Sequence, residues 1–133
     1  MSVLDAGEPA VAGLDAAAAS ASAAVRVALI ATFTARPGQA ASVEELLLSL
    51  TARVREEPGN LAFDPARGVD DHDRFTVYEV YSDRAAFEAH IAADYGATFN
   101  TALAPLIVED GSQLEFLSPL ARVGDRDRRD PAP

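Results

Sequence analysis

Two polar side chains occupy positions where apolar ones are expected, and both are of types that carry out proton chemistry. Glu79 lies in the middle of an extended run, 75–81, that is rich in β-branched and aromatic residues. His90 lies on the apolar stripe of the amphipathic helix that follows, together with Phe87 and Ile91. Imidazole groups titrate near neutral pH, which suits a general base, and a carboxylate can orient such a base. We therefore take Glu79 and His90 as the candidate catalytic pair.

Each candidate also has a purely structural interpretation. A histidine on an apolar stripe is often a buried side chain whose hydrogen bonds are satisfied within the protein. Glu79 could instead form a salt bridge with an arginine of a neighbouring strand, such as Arg26. His72 lies among three aspartates, but their spacing fits no calcium loop, so a solvated turn is expected there.

The composition excludes several classes of function. The chain has 133 residues, enough for one domain, with no cysteine and only two histidines, so thiolate chemistry and His-rich metal sites are not expected. No P-loop or dinucleotide motif is present, and a net charge of −10 argues against nucleic acid as a partner. No apolar run reaches membrane-spanning length, and the acidic N-terminus does not resemble a secretory signal, so a cytoplasmic protein is expected. We expect no cofactor and no metal.

The pattern of elements predicts an α+β fold. Strand, helix, two hairpin-connected strands, helix and strand follow one another, which is the split β-α-β-β-α-β order of ferredoxin-like folds. A capping box at Ser42 and Glu45 is expected to open the first helix. The predicted elements are a strand at 25–35, a helix from 42 to about 57, a strand beginning at 61–63, a turn at 68–74, a strand at 75–81, a helix at 84–94 interrupted at Tyr95–Gly96, a helical segment at 97–108 and a strand at 113–117.

Composition also divides the chain into a domain and two flanking segments. Residues 1–24 are predicted to be a disordered or weakly helical leader, because they contain few large apolar side chains. Residues 25–118 form the predicted domain, and residues 119–133 a charged, flexible tail.

The strand faces predict a second subunit. In 75–81, Phe75, Val77 and Tyr81 point to one face of the sheet, and Tyr78 and Val80 to the other, so neither face is polar. An antiparallel sheet with helices on one side should present a polar second face to water. We therefore expect a homodimer in which two sheets pack face to face.

Several short motifs resemble a known family. They are Pro-Gly at 37–38, EPGN at 57–60, F-x-V-Y-E-V-Y at 75–81, D-x-A-A-F-x-x-H at 83–90, and Phe99. Together they resemble the antibiotic biosynthesis monooxygenase (ABM) domain over residues 25–118, and most closely the subgroup similar to quinol monooxygenases. The resemblance implies a dimeric α+β barrel with a pocket between sheet and helices, and oxygenation of phenols or quinols without metal or flavin. Haem-degrading members have an Asn on the first strand, a Trp at the end of the third strand and the helix His. Here no Asn lies between Val25 and Ala35, Tyr81 stands at the Trp position, and only His90 is shared, which argues against haem degradation.

These observations lead to one hypothesis and two alternatives. The hypothesis is a cofactor-independent monooxygenase that oxidises a small phenolic, quinol-type or polycyclic aromatic substrate with dioxygen, His90 acting as general base and Glu79 assisting it. The alternatives are a non-catalytic dimer that binds small molecules, and a cofactor-free isomerase of the same superfamily. The aromatic residues expected to line the substrate pocket are Phe33, Phe63, Tyr78, Tyr81 and Phe99.

Overall fold

A computed structural model of the chain describes residues 25–121. The predicted leader, residues 1–24, lies outside the described residues, and so does the predicted tail from residue 122 onward. Within the described part of the chain, the elements are β1 Val27–Thr34, α1 Ala40–Val54, β2 Asn60–Arg67, β3 Arg74–Tyr81, α2 Arg84–Ala92, α3 Asp94–Leu103, a 3₁₀ turn Ala104–Leu106 and β4 Gln113–Leu117. None of the helices among residues 25–121 is long and apolar enough to cross a membrane.

The four strands form one antiparallel sheet in the order β2-β3-β1-β4. Each β-α-β half of the chain therefore has a strand of the other half inserted between its own two strands, which confirms the predicted α+β ferredoxin-like fold. Across the sheet, Glu79 of β3 pairs with Leu29 of β1 on one side and with Phe63 of β2 on the other. Because paired residues point to the same face, these three side chains all face the helices.

The main hydrophobic core lies between this face of the sheet and helices α1 and α3. Phe33 of β1 and Phe75 of β3 stack with their ring centroids 5.8 Å apart. Helix α1 contributes Val43, Leu47 and Val54 to the same cluster. A smaller cluster, in which Tyr81 and Phe87 are fully buried, attaches α2 to the strand that precedes it. The strands and helices that carry the candidate residues are thus held by two packed clusters.

The opposite face of the sheet is apolar at its centre and polar towards one end. Tyr78 pairs with Ile30, and the neighbouring pair is Val80 with Ala28. Tyr78 is 38 % exposed. Threonines, Gln113 and the edge-strand residues Asp64 and Glu115 complete this face. The sheet-to-sheet homodimer stays a prediction.

The start of α1 differs from the sequence prediction. The capping box at Ser42 is wrong, because the helix begins two residues earlier, at Ala40, and Ser42 is exposed within its first turn. Gly38 has a positive φ of 83°, which turns the chain sharply after Pro37. The Gln39 carbonyl then accepts a hydrogen bond from the backbone N–H of Val43 at 3.0 Å, so the helix can start without a side-chain cap.

The break between the second and third helices also differs. The predicted interruption at Tyr95–Gly96 is wrong by two residues, because the chain leaves the helical conformation at Ala93, with φ −69° and ψ 134°. Tyr95 and Gly96 belong to the first turn of α3. Starting α3 at Asp94 places the Tyr95 ring where its hydroxyl reaches Glu57.

Candidate functional site

His90 lies in the last turn of α2, and the other end of that helix fixes its position. The Asp83 side chain caps α2 by accepting a hydrogen bond from the backbone N–H of Ala86 at 2.8 Å. Gly59 approaches the helix so closely that a Cβ built on it would come within 2.3 Å of the Ala86 Cβ. Only a residue without a side chain permits this approach. The segment 57–60 is therefore packed directly against the helix that carries His90.

Glu57, which opens that segment, holds two side chains of the site. Its Oε2 lies 3.0 Å from Nδ1 of His90, and the same oxygen accepts a hydrogen bond from the Tyr95 hydroxyl. An ionised carboxylate can only accept hydrogen bonds, so the proton of this contact must sit on Nδ1 of His90. The other ring nitrogen, Nε2, is then the unprotonated, basic nitrogen of the neutral imidazole.

Glu79 lies on the other side of the imidazole but does not bond to it. Its Oε1 is 3.9 Å from Nε2 of His90, which is beyond hydrogen-bonding distance. The same oxygen accepts a hydrogen bond from the Tyr81 hydroxyl at 2.8 Å. The predicted pair therefore lies together on the helix-facing side of the sheet, but the expectation that Glu79 orients His90 directly needs correction. Glu57 makes the hydrogen bond that orients the ring.

Burial sets the ionisation of this cluster. Loss of hydration raises the pKa of the Glu79 carboxyl, although the neighbouring His90 and the Tyr81 hydroxyl both act in the opposite direction. Burial and the Glu79 carboxylate raise the pKa of Tyr81 far above its usual range. Burial and the hydrogen bond to Glu57 likewise raise the pKa of Tyr95. Both tyrosines therefore keep their protons and remain hydrogen-bond donors.

An inner cavity of about 50 Å³ lies beside the imidazole, between the sheet and helices α1 and α3. His90 and Glu79 supply its ionisable groups, and most of its remaining wall is apolar or aromatic. Its lining residues are Ala31, Phe33, Leu47, Leu50, Phe63, Val77, Glu79, His90, Gly96, Phe99, Asn100 and Ser112. A mainly apolar wall with a few polar groups at one side is typical of small-molecule sites.

The predicted aromatic residues divide into three groups. Phe33, Phe63 and Phe99 line the inner cavity. Tyr81 is fully buried beside it, and its ring centroid is 4.9 Å from that of His90, so it supports the imidazole from behind. Tyr78 alternates with Glu79 along β3 and lies on the opposite face of the sheet, so its expected place in this cavity is wrong.

Four polar residues of the site were not identified from sequence. Glu57 was visible only as part of the EPGN motif, and nothing local connects it with a histidine that lies 33 positions along the chain. Tyr95 was interpreted as a helix breaker. Asn100 and Ser112, which are 4 % and 2 % exposed, line the inner cavity. A polar residue on the buried stripe of α3 is the signal that could have indicated Asn100.

No metal site accompanies the cluster within the described residues. Among residues 25–121, no three histidine, aspartate or glutamate side chains gather closely enough to hold a metal ion. His72 is exposed in the turn between β2 and β3.

Comparison with known proteins assigns the family. The family model described as antibiotic biosynthesis monooxygenase (ABM) matches residues 26–102, which is more than half of the chain. The chain therefore belongs to the ABM family. No curated protein matches it.

Solved structures share the fold over nearly their whole length. The protein PA3566 from Pseudomonas aeruginosa is 31 % identical, with a TM-score of 0.68, over 75 % of this chain and 99 % of that one. A proposed antibiotic biosynthesis monooxygenase from Caulobacter crescentus CB15 is 24 % identical, with a TM-score of 0.69, over 80 % and 100 % of the two chains. Rv0793 from Mycobacterium tuberculosis is 24 % identical, with a TM-score of 0.67, over 73 % and 97 %. The last two comparisons bear on the fold alone.

The raised pKa of Glu79 predicts how stability depends on pH. Because the folded state holds the Glu79 proton more tightly than the unfolded state does, this group stabilises the fold below the ordinary glutamate pKa, and that contribution is lost as pH rises through the folded-state pKa. Glu79→Gln keeps an acceptor for Tyr81 and cannot ionise. We expect the free energy of unfolding of Glu79→Gln, relative to that of the unsubstituted protein, to increase from about pH 5 to about pH 8.

Urea unfolding at both pH values measures this difference. Glu45→Gln, at an exposed position of α1, removes the same formal charge and serves as the control for net charge. If Glu79→Gln changes stability by the same amount at both pH values, burial does not oppose ionisation of Glu79.

Proposed function

We propose that this chain is a cofactor-independent monooxygenase that oxidises phenolic, quinol-type or polycyclic aromatic substrates with dioxygen. His90 acts as the general base through Nε2, and Glu57 orients it. Membership of the ABM family supports this assignment, and so does an inner cavity that combines aromatic walls with one basic nitrogen.

The orientation of His90 is the observation that carries the proposal. Nδ1 is occupied by Glu57 at 3.0 Å, so Nε2 is left to accept a proton inside the cavity. When Nε2 takes up a proton, the imidazolium lies between two carboxyl groups, those of Glu57 and Glu79. The carboxylate that bonds to Nδ1 can stabilise the positive charge that the ring acquires when it removes the substrate proton.

The proposed reaction balances with dioxygen as the only other reactant. Nε2 of His90 removes the phenolic proton, and the resulting anion transfers electron density from its electron-rich ring carbon to dioxygen. A C–O bond forms, and the terminal oxygen takes up the proton held by His90 to give a hydroperoxide. Loss of the ring C–H proton then breaks the O–O bond, so that one oxygen atom stays as the quinone carbonyl and the other leaves as water.

The protein contributes positioning and a dry environment rather than redox groups. Phe33, Phe63 and Phe99 provide the apolar walls against which a flat ring can lie. Asn100 and Ser112 add an amide and a hydroxyl to the wall of the same cavity, where they can bind an oxygen of the substrate. Holding the reactants together and excluding water both lower the barrier to such a reaction.

Substitution of His90 tests the proposal. His90→Ala should reduce the rate of oxygen consumption with a naphthoquinol or anthrone by at least about a hundredfold, which is the usual size of a general-base effect. His72→Ala removes the chain's other histidine, which is exposed in a turn, and should leave the rate within about twofold. An oxygen electrode measures the rates, and circular dichroism checks that both variants fold.

The same assays distinguish the alternatives. Saturable binding of these compounds without oxygen consumption would show a non-catalytic binding protein, and product formation without oxygen consumption would show an isomerase. An unchanged rate in His90→Ala would eliminate the proposed base.

We further propose that two copies of the chain pair through the opposite face of the sheet. Tyr78 and Ile30 lie side by side at the centre of that face, and the next pair along the strands, Val80 and Ala28, is already buried within the chain. An exposed tyrosine within an apolar patch is a common feature of interface centres. The polar residues towards the edges would then form the rim of the interface.

Sedimentation equilibrium tests the pairing. The unsubstituted protein should sediment as a dimer, and Tyr78→Glu should shift it towards monomer, because a carboxylate buried in an apolar interface loses its hydration. Ala41→Glu adds the same charge at an exposed position of α1 and should leave the dimer intact. A monomeric unsubstituted protein would refute this pairing.

A further inference from the structure

The inner cavity is too small to hold an aromatic substrate by itself. Its volume is about 50 Å³, whereas an apolar cavity that binds benzene in another protein measures roughly 150 Å³. A substrate whose hydroxyl group reaches Nε2 of His90 must therefore keep most of its body outside the inner cavity. The direction in which that body extends determines which substituents the protein can recognise.

A second depression, which we call the outer groove, adjoins the inner cavity. It lies between α1 and α3, and its volume is about 170 Å³, so one aromatic ring fits within it. Leu50 and Phe99 line both spaces and form a wall that runs from one to the other. The residues lining the outer groove are Leu46, Ser49, Leu50, Arg53, Tyr95, Thr98, Phe99 and Ala102.

Arg53 gives the outer groove its chemical character. It carries the only charge among the described residues that line the groove. Its guanidinium lies over the Tyr95 ring, 4.5 Å from the ring centroid, and such cation–π contact restricts the position of the group. Tyr95 is itself held by its hydrogen bond to Glu57. Among residues 25–121 no carboxylate forms an ion pair with Arg53, so its charge is not neutralised there.

We propose that the outer groove is the distal half of the substrate site and that Arg53 selects aromatic substrates that carry a carboxylate. The inference rests on the proposed function, because it takes His90 as the reacting end of the site. Guanidinium groups bind carboxylates through two parallel hydrogen bonds, which gives both affinity and orientation. The net charge of −10 repels anions from most of the surface, so a local cation is needed to admit one.

The geometry assigns complementary roles to the two ends of the substrate. The apolar ring body lies along Leu50 and Phe99, its hydroxyl group points towards His90, and its carboxylate remains at the groove beside Arg53. Arg53 is one of two neighbouring arginines near the end of α1, and only Arg53 lines the groove. The Arg55 guanidinium bonds to the Phe63 carbonyl and to the Asp64 carboxylate, with a distance of 3.2 Å to the latter.

A pair of non-oxidisable ligands of equal shape tests this inference. 2-Naphthoate carries a carboxylate, 2-naphthamide is its neutral counterpart, and neither has a hydroxyl group that His90 could deprotonate. Fluorescence titration of the full chain should give a Kd about tenfold lower for 2-naphthoate, because one charge-assisted contact is worth about that factor. Arg53→Gln should remove this preference and leave the Kd for 2-naphthamide within about twofold. Arg55→Gln, which changes the net charge equally, should retain the preference.

Three results would overturn the inference. They are equal affinity of the unsubstituted protein for the two ligands, failure to bind either, and equal loss of the preference in Arg53→Gln and Arg55→Gln.

Failure of the proposed function is distinguishable from these results. A carboxylate preference that depends on Arg53, in a protein that consumes no oxygen with quinols, would refute the monooxygenase and uphold the outer groove. Normal oxygen consumption without any carboxylate preference would refute the outer groove alone.

Discussion

The hydrogen bond between Glu57 and Nδ1 of His90 is the interaction on which the chemistry of this site depends. It leaves Nε2 without a hydrogen-bonding carboxylate on a ring that lines a mainly apolar cavity. Without an acceptor at Nδ1 the ring could carry its proton on either nitrogen, and its orientation would not be fixed. Tyr95 also fixes the position of the Glu57 carboxylate, because its hydroxyl donates a hydrogen bond to the same oxygen. One carboxylate thus connects His90 on α2 with the helix that borders the outer groove.

The fold brings these residues together by packing the connection between α1 and β2 closely against α2. Gly59 allows the segment after α1 to contact Ala86, and this places Glu57 beside the end of α2. The sheet register puts Glu79 on the helix-facing side, where Tyr81 satisfies one of its oxygens. Burial disfavours the charged form of Glu79, while the adjacent imidazole favours it. The site therefore holds two carboxyl groups in different environments around one imidazole, and the more exposed of them orients the ring.

The sequence was sufficient for the architecture because the architecture follows from periodicity. Alternation in β1 and β3, and the 3.6-residue repeat in α1, predicted the order of elements. Element ends were less accurate, since a capping residue or a glycine indicates a boundary only to within a few residues, and Ser42 and Gly96 both lie in the first turn of a helix. Glu57 was missed as a partner of His90 because their contact joins positions far apart in the chain. Tyr78 was misplaced because its aromatic type suggested the pocket, whereas alternation along β3 puts it on the face opposite Glu79.

The protonation of the His90 ring tests the central claim most directly. The chain has only two histidines, so ¹⁵N NMR of imidazole-labelled protein, with His72→Ala for assignment, resolves both nitrogens of His90. We expect neutral His90 to carry its proton on Nδ1, with Nε2 unprotonated, and we expect Glu57→Ala to give a mixture of both tautomers. A proton on Nε2 in the neutral, unsubstituted protein would contradict the account, because the nitrogen that faces the cavity could then not act as a base.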